Sequence, residues 1–245
     1  MKNRLPSFVQ KIKICVICEG DEEYEYLSRL KELDVWNDKY NISLENADGN
    51  GNVPPRYQNK YQNGSFDVVL MFCDTDKKPY EQYADIKQKT DEFHGVDGAA
   101  NRVLIYGNPC TMQIIINHWA ETLLKSPAKK MNAPIIEKCT GVPHYKARED
   151  QRQKVFAKVT KENYGIMLER IKKLPDDDTV AGSSNFGKFM DYFSNEDDSW
   201  VEEINKVLEG YMDDVEATLN EADRYASENE KRITHEEVFG KQTKQ

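Results

Sequence analysis

Three carboxylates stand where apolar runs of this chain stop. The run Ile12-Lys13-Ile14-Cys15-Val16-Ile17-Cys18 breaks off at Glu19-Gly20, and Phe66-Asp67-Val68-Val69-Leu70-Met71-Phe72-Cys73 breaks off at Asp74-Thr75-Asp76. On an extended backbone side chains repeat every two residues, so Asp74 and Asp76 lie on one side and can reach one cation. Converging carboxylates repel one another unless a cation sits between them, and hard oxygen ligands suit Mg2+ or Mn2+ rather than zinc. Such an ion orients and polarises a phosphodiester and stabilises charge on the attacking or leaving oxygen. Glu19 could complete the metal shell or serve as general acid or base. The expected catalytic and metal-binding set is therefore Glu19, Asp74 and Asp76.

Other residues fall within reach of that chemistry, each with a plainer alternative. Glu23, one helical turn beyond Glu19, is either a supporting carboxylate or an ordinary first-turn acid favoured by the helix dipole. Lys77 and Lys78 follow the aspartates and could bind phosphate, or be solvated turn lysines. Asn108 could cap the next helix or touch ligand. His118 lies on an apolar stretch, where a lone histidine is usually a core residue. Lys146, Arg148, Arg152 and Lys154, with Tyr145 and Phe156 interleaved, form the most basic region and could line a nucleic-acid groove, or simply make a solvated helix face.

The elements that must hold these groups follow from periodicity. Both apolar runs have the length and the β-branched or aromatic content of buried strands. Between them, Asp21 to Leu33 reads as a helix with an acidic first turn. A short strand at Tyr40 to Leu44 then precedes the loop Asn46 to Asn52, rich in residues that tolerate positive φ. A short helix is expected around Arg56 to Tyr61, another over Tyr80 to Phe93, a strand at Arg102 to Tyr106, and a buried helix over Met112 to Leu124. This alternation predicts an α/β fold with a mainly parallel sheet, whose carboxyl edge collects ligands. From Ser126 the character changes. Ser126 to Lys130 resembles a linker, followed by helices over Glu149 to Leu174 with a break near Thr160, over Phe186 to Phe193, and over Ser199 to Glu230. The expected division is a metal-binding domain over 1–125 and a mostly helical domain over 126–245.

With 245 residues, 31% charged and 38% hydrophobic, the chain has the balance of a globular protein, and its net charge of -9 argues against broad attraction to nucleic acid while allowing a local basic groove. No apolar stretch approaches the roughly 20 residues of a membrane span. The basic start Met1 to Pro6 leads straight into the first strand, so a cytoplasmic location without membrane attachment is expected. Five cysteines without framework spacing fit buried free thiols in a reducing compartment.

Taken together, Cys18-Glu19-Gly20-Asp21-Glu22-Glu23-Tyr24-Glu25-Tyr26-Leu27, Asp74-Thr75-Asp76, Asn108-Pro109-Cys110 and His118 make residues 12 to 125 resemble the RloB-like family, a branch of the Toprim superfamily related to the overcoming-lysogenization-defect nucleases. The resemblance implies a Toprim-like sheet with Glu19, Asp74 and Asp76 as its acidic triad, and it brings His118 toward the site. It further implies a Mg2+-dependent nuclease or related phosphodiester-processing protein in bacterial or archaeal defence against phage or mobile DNA. DNA or RNA, and a partner ATPase or other defence protein, are the expected partners, with self-association left open. The chain departs from the family where Thr111-Met112-Gln113 replaces a segment that usually carries a glutamate, and where Glu22 replaces a threonine. The alternative is a noncatalytic module of the same fold that binds nucleic acid, a nucleotide or a partner.

Overall fold

A computed structural model describes residues 11–75, 80–210 and 224 of the chain. Strand β1 (Ile12–Cys18) is buried from Ile14 onward, and β3 (Val68–Asp74) is buried through Cys73, as strands covered on both faces must be. Helix α1 (Asp21–Glu32) joins β1 to β2 (Tyr40–Asn46), and α2 (Val53–Gln62) leads into β3. Helix α3 (Tyr80–His94) and the single turn α4 (Ala100–Val103) precede β4 (Leu104–Gly107). The four strands are all parallel in the order β2-β1-β3-β4. The chain thus moves from β1 to one side, then returns to the other, and the crevice where that direction reverses lies beyond the carboxyl ends of β1 and β3.

The α/β class and the parallel sheet are as the sequence predicts, and the first and third strands are neighbours. The outer side of β4 is covered by the 184–185 segment: Tyr106 N–H donates to Asn185 Oδ1 at 2.9 Å, Asn185 Nδ2 donates to Leu104 O at 2.8 Å, and Ser184 bridges Gly107. One asparagine completes the ladder that a further strand would have continued.

Several boundaries differ from expectation. The apolar stretch after Cys110 is helical only in α5 (Met112–Ile115) and a 3-10 turn at Ile116–His118. Gln113 explains the stop, because its amide bonds Leu124 N–H at 2.7 Å and Thr122 O at 2.7 Å and thereby draws the following chain back across the turn. The expected linker already contains the start of α6 (Lys129–Thr140), which carries Pro134 within it. Helices α7 (Glu149–Phe156) and α8 (Lys161–Ile171) are separated at Thr160, whose hydroxyl accepts from Asn163 N–H at 3.3 Å as an N-cap. Helix α9 (Phe186–Ser194) follows, and residues 199–210 are helical. The remainder of the long helix expected to Glu230 lies outside the described residues, apart from Arg224.

The change of character at Ser126 marks a switch from sheet to helices. The chain through Leu208 forms one compact unit, and Glu209 onward belongs to another. Within the first unit α7 packs on α1, α8 on α5, and α9 on β4. Cys15, Cys18, Cys73 and Cys110 are buried and all five cysteines are free. Burial pushes the Cys15 thiol up to about 11, so it behaves as a core hydrophobe. No helix among the described residues is long and apolar enough to cross a membrane.

Candidate active site

Parallel pairing of β1 with β3 puts Cys18 opposite Phe72, so Glu19, just after β1, and Asp74, the last residue of β3, come to the same edge of the sheet. Glu19 N–H continues the ladder to Phe72 O at 2.9 Å, and the Glu19 carboxylate turns back to accept Asp74 N–H at 2.8 Å. Glu19 and Asp74 thus stand at one edge of the sheet, joined by that backbone bond. Asp76, Lys77 and Lys78 lie outside the described residues.

Asp74 is held from the other side by Thr111. The Thr111 N–H and hydroxyl both donate to Asp74 Oδ1, the hydroxyl at 2.6 Å. Thr111 can reach it because the Asn108-Pro109-Cys110 turn is tight: a Cβ built on Gly107 would sit 2.9 Å from Cys110 O, so only glycine permits that approach. The loop after β2 guards the opposite flank. Asp48 (φ 57°) and Gly49 (φ 119°) adopt the expected left-handed and extended-positive conformations, and Gly49 N–H donates to Glu19 O at 2.8 Å. With its amide nitrogen facing the carboxylate, Asn50 donates to Glu19 Oε2 at 3.0 Å.

Glu23 joins the cluster from the first turn of α1. It is only 4% exposed and its Oε2 accepts Gly20 N–H at 3.2 Å. Burial, then the charges of Glu19 and Glu22, push its carboxyl up to about 8, against the Thr111 hydroxyl, which pulls it down. It is thus more than a solvated first-turn acid. The adjacent Glu22 has its charge answered: Tyr145 O–H donates to Oε1 at 2.6 Å and Lys129 Nζ to Oε2 at 3.2 Å. Burial works to lower the Lys129 pKa, but Glu22, Asp74 and Glu23 outweigh it and raise it. Among the described residues no group of three or more His, Cys, Asp or Glu side chains is placed so that it could hold a metal ion.

The remaining sequence candidates are placed elsewhere. His118 is an interior residue: its Nε2 accepts from Tyr26 O–H at 3.0 Å and its Nδ1 donates to Asn163 Oδ1 at 2.8 Å, the tautomer following from the carbonyl character of that partner. Burial depresses its pKa to about 4. Asn108 neither caps α5 nor points at the acids, since its Nδ2 donates to Asp178 O at 2.6 Å and its backbone pairs with Ser183 and Gly182. Arg152 is a structural ion-pair residue, its side chain 10% exposed, bonded to Asp21 Oδ2 at 3.0 Å and Glu25 Oε1 at 2.6 Å. That leaves Lys146, Arg148 and Lys154 as the exposed cations of the expected basic region.

Thr111 and Asn50 were not singled out as site residues by sequence, and Tyr145 and Lys129 were read only as part of the basic region. The signal that could have found Thr111 is its position just ahead of a helix, where hydroxyl residues collect. Compared with models of protein families, with curated proteins and with solved structures, the chain matches none. The site must be read from its own chemistry.

Proposed function

We propose that this protein is a divalent-metal-dependent nuclease, or a related phosphodiester-processing enzyme, working at the Glu19–Asp74 edge. The observation that carries the reading is the joined pair itself: Asp74 N–H on Glu19 Oε2 at 2.8 Å, at the crevice where the sheet reverses direction, with Asp74 Oδ1 clamped by Thr111. The donors fit Mg2+ or Mn2+, because the acids are hard oxygen ligands and the nearby Cys73 thiol is buried and pushed well up in pKa. Burial first, and then the charges of Glu19 and Glu22, raise the Glu23 carboxyl, and a divalent cation at this edge would relieve the repulsion among these acids. Glu19 and Asp74 would hold the ion, with Asp76 the third ligand expected from sequence. When bound, it supplies charge stabilisation to a phosphodiester undergoing attack.

Around it, the chain's own residues have distinct tasks. Thr111 and the Asp74 N–H fix both carboxylates before substrate arrives, so little reorganisation is left for the reaction. Glu23, buried beside the pair with its carboxyl raised, is the group placed to donate or accept a proton. The RloB resemblance supports placing this chemistry in defence against phage or mobile DNA, alongside a partner such as an ATPase.

The test is cleavage of labelled DNA and RNA by purified protein with Mg2+, with Mn2+ and with EDTA. Cleavage should need the ion and fall by orders of magnitude in Asp74→Asn and Glu19→Gln, whose amide oxygens still accept the local hydrogen bonds. Turnover that survives EDTA or is unchanged in Asp74→Asn would refute the assignment.

A further inference from the structure

A cleft of about 800 Å³ opens between α6 and the 143–148 loop, lined by Lys130, Ala133, Pro134, Tyr145, Lys146 and Arg148. Glu137 is the single carboxylate on its wall, against three cations. Among the described residues no ion pair engages Lys130 or Lys146, and Arg148 meets only Asp150, at 3.8 Å with both side chains well exposed, too loosely to neutralise it.

The loop that presents these cations is built and held. His144 (φ 49°) and Ala147 (φ 54°) take left-handed conformations that L-residues rarely adopt, one on each side of Lys146. Buried Gln151 maintains them, accepting Lys146 N–H at 2.8 Å and donating to Pro143 O at 3.2 Å and His144 O at 3.1 Å. Arg152 Nη1 adds a bond to Ala147 O at 2.6 Å. A strained backbone kept by buried side chains is a device for holding Lys146 and Arg148 outward before any ligand binds.

The cleft is connected to the carboxylate edge through Glu22. Tyr145, 1% exposed, lies beneath the cleft with its hydroxyl on Glu22, and Lys129, the residue before Lys130, reaches the same carboxylate.

We infer that this cleft binds an unpaired nucleic-acid strand, with its phosphates on Lys130, Lys146 and Arg148 and a base or sugar against the exposed Pro134. Alternating cations and apolar floor match the alternation of phosphates and bases, and the concave floor can receive a base only when that base is not stacked in a duplex. The cleft is of small-ligand size, within the roughly 300–1,000 Å³ of such pockets, and suits a nucleotide unit rather than a helix. The direction of the strand toward Glu19 and Asp74 rests on the proposed metal site at those acids; the binding does not.

The experiment is fluorescence anisotropy of the full chain in EDTA with short unstructured DNA and RNA oligonucleotides, the same sequences as duplexes, and poly-glutamate as competitor. Single strands should bind about tenfold or more tightly than duplexes. Lys146→Gln with Arg148→Gln should weaken binding and lower the slope of log affinity against log salt by about 1.4, roughly 0.7 for each phosphate no longer neutralised. Lys154→Gln, outside the cleft, should leave binding unchanged, and melting curves should show all variants folded, since the substituted side chains are exposed. Equal binding of duplex, an equal effect of Lys154→Gln, or displacement by poly-glutamate as effective as by a nucleic-acid strand would overturn the inference, the last outcome pointing to an acidic protein partner. Strand binding that depends on the cleft without metal-dependent cleavage would sink the enzyme reading alone. Cleavage that ignores the Lys146 and Arg148 changes would sink the cleft alone.

Discussion

Acidification should destabilise this protein through His118 by about 3 kcal/mol between pH 7 and pH 4, beyond the effect of its other groups. Burial among α1, the turn after α5 and α8 depresses the His118 pKa from 6.5 to about 4, with the Arg170 charge adding to the depression and the Asn163 hydrogen bond opposing it. In the unfolded chain the imidazole takes its proton as the pH falls through 6.5, whereas the folded chain resists until about 4. The unfolded state thus binds more protons across that window, and stability present above it is lost as the pH drops. At about 1.36 kcal/mol per pH unit over that interval, the loss is about 3 kcal/mol, an order-of-magnitude figure. Urea denaturation of wild type and His118→Gln at several pH values isolates the effect, because every other titrating group is common to both. The variant should be the less stable at pH 7, since it gives up the ring's packing against Tyr26 and its bond to Asn163, and the gap should narrow by about 3 kcal/mol toward pH 4. Parallel pH profiles for the two proteins, or an NMR titration of His118 with a midpoint near its ordinary value, would show that the ring is not the buried neutral group described.

Glu23 should behave in the opposite sense: its carboxyl is raised to about 8, so Glu23→Gln should match wild type near pH 4 and become increasingly the more stable as pH rises toward 8, read by thermal melts with EDTA present. A flat difference across that range would contradict the assigned burial. Thr111→Val should lower turnover about ten- to a hundredfold, the value of a hydroxyl bond of roughly 1.5–3 kcal/mol to a carboxylate, and Thr111→Ser should restore most of it. If Val and Ser variants were equally active, Thr111 would have no positioning role for Asp74. Arg152→Ala should destabilise by about 2 kcal/mol or more, since it strips partners from Asp21, Glu25 and Ala147 O, while Lys146→Gln should not change the melting temperature. Equal melting temperatures for wild type and Arg152→Ala would return Arg152 to the exposed basic face.

Much of the sheet and the place of the acids was legible in the sequence because both are local. A strand covered on both faces must be continuously apolar, so Ile14 to Cys18 and Val68 to Cys73 declare themselves, and an acid directly after each run must emerge at its end. The break at Thr160 was legible for the same reason, through a residue type that caps. What surrounds the acids was decided only by tertiary packing. Thr111 meets Asp74 from 37 residues away, Tyr145 meets Glu22 from 123, and Arg152 meets Asp21 from 131, separations at which no periodicity speaks. Composition marked Arg152 as one basic residue among several. Only the packing of α7 on α1 turned it inward, while the bonds of Gln151 and Arg152 to the 143–147 loop kept Lys146 and Arg148 facing out.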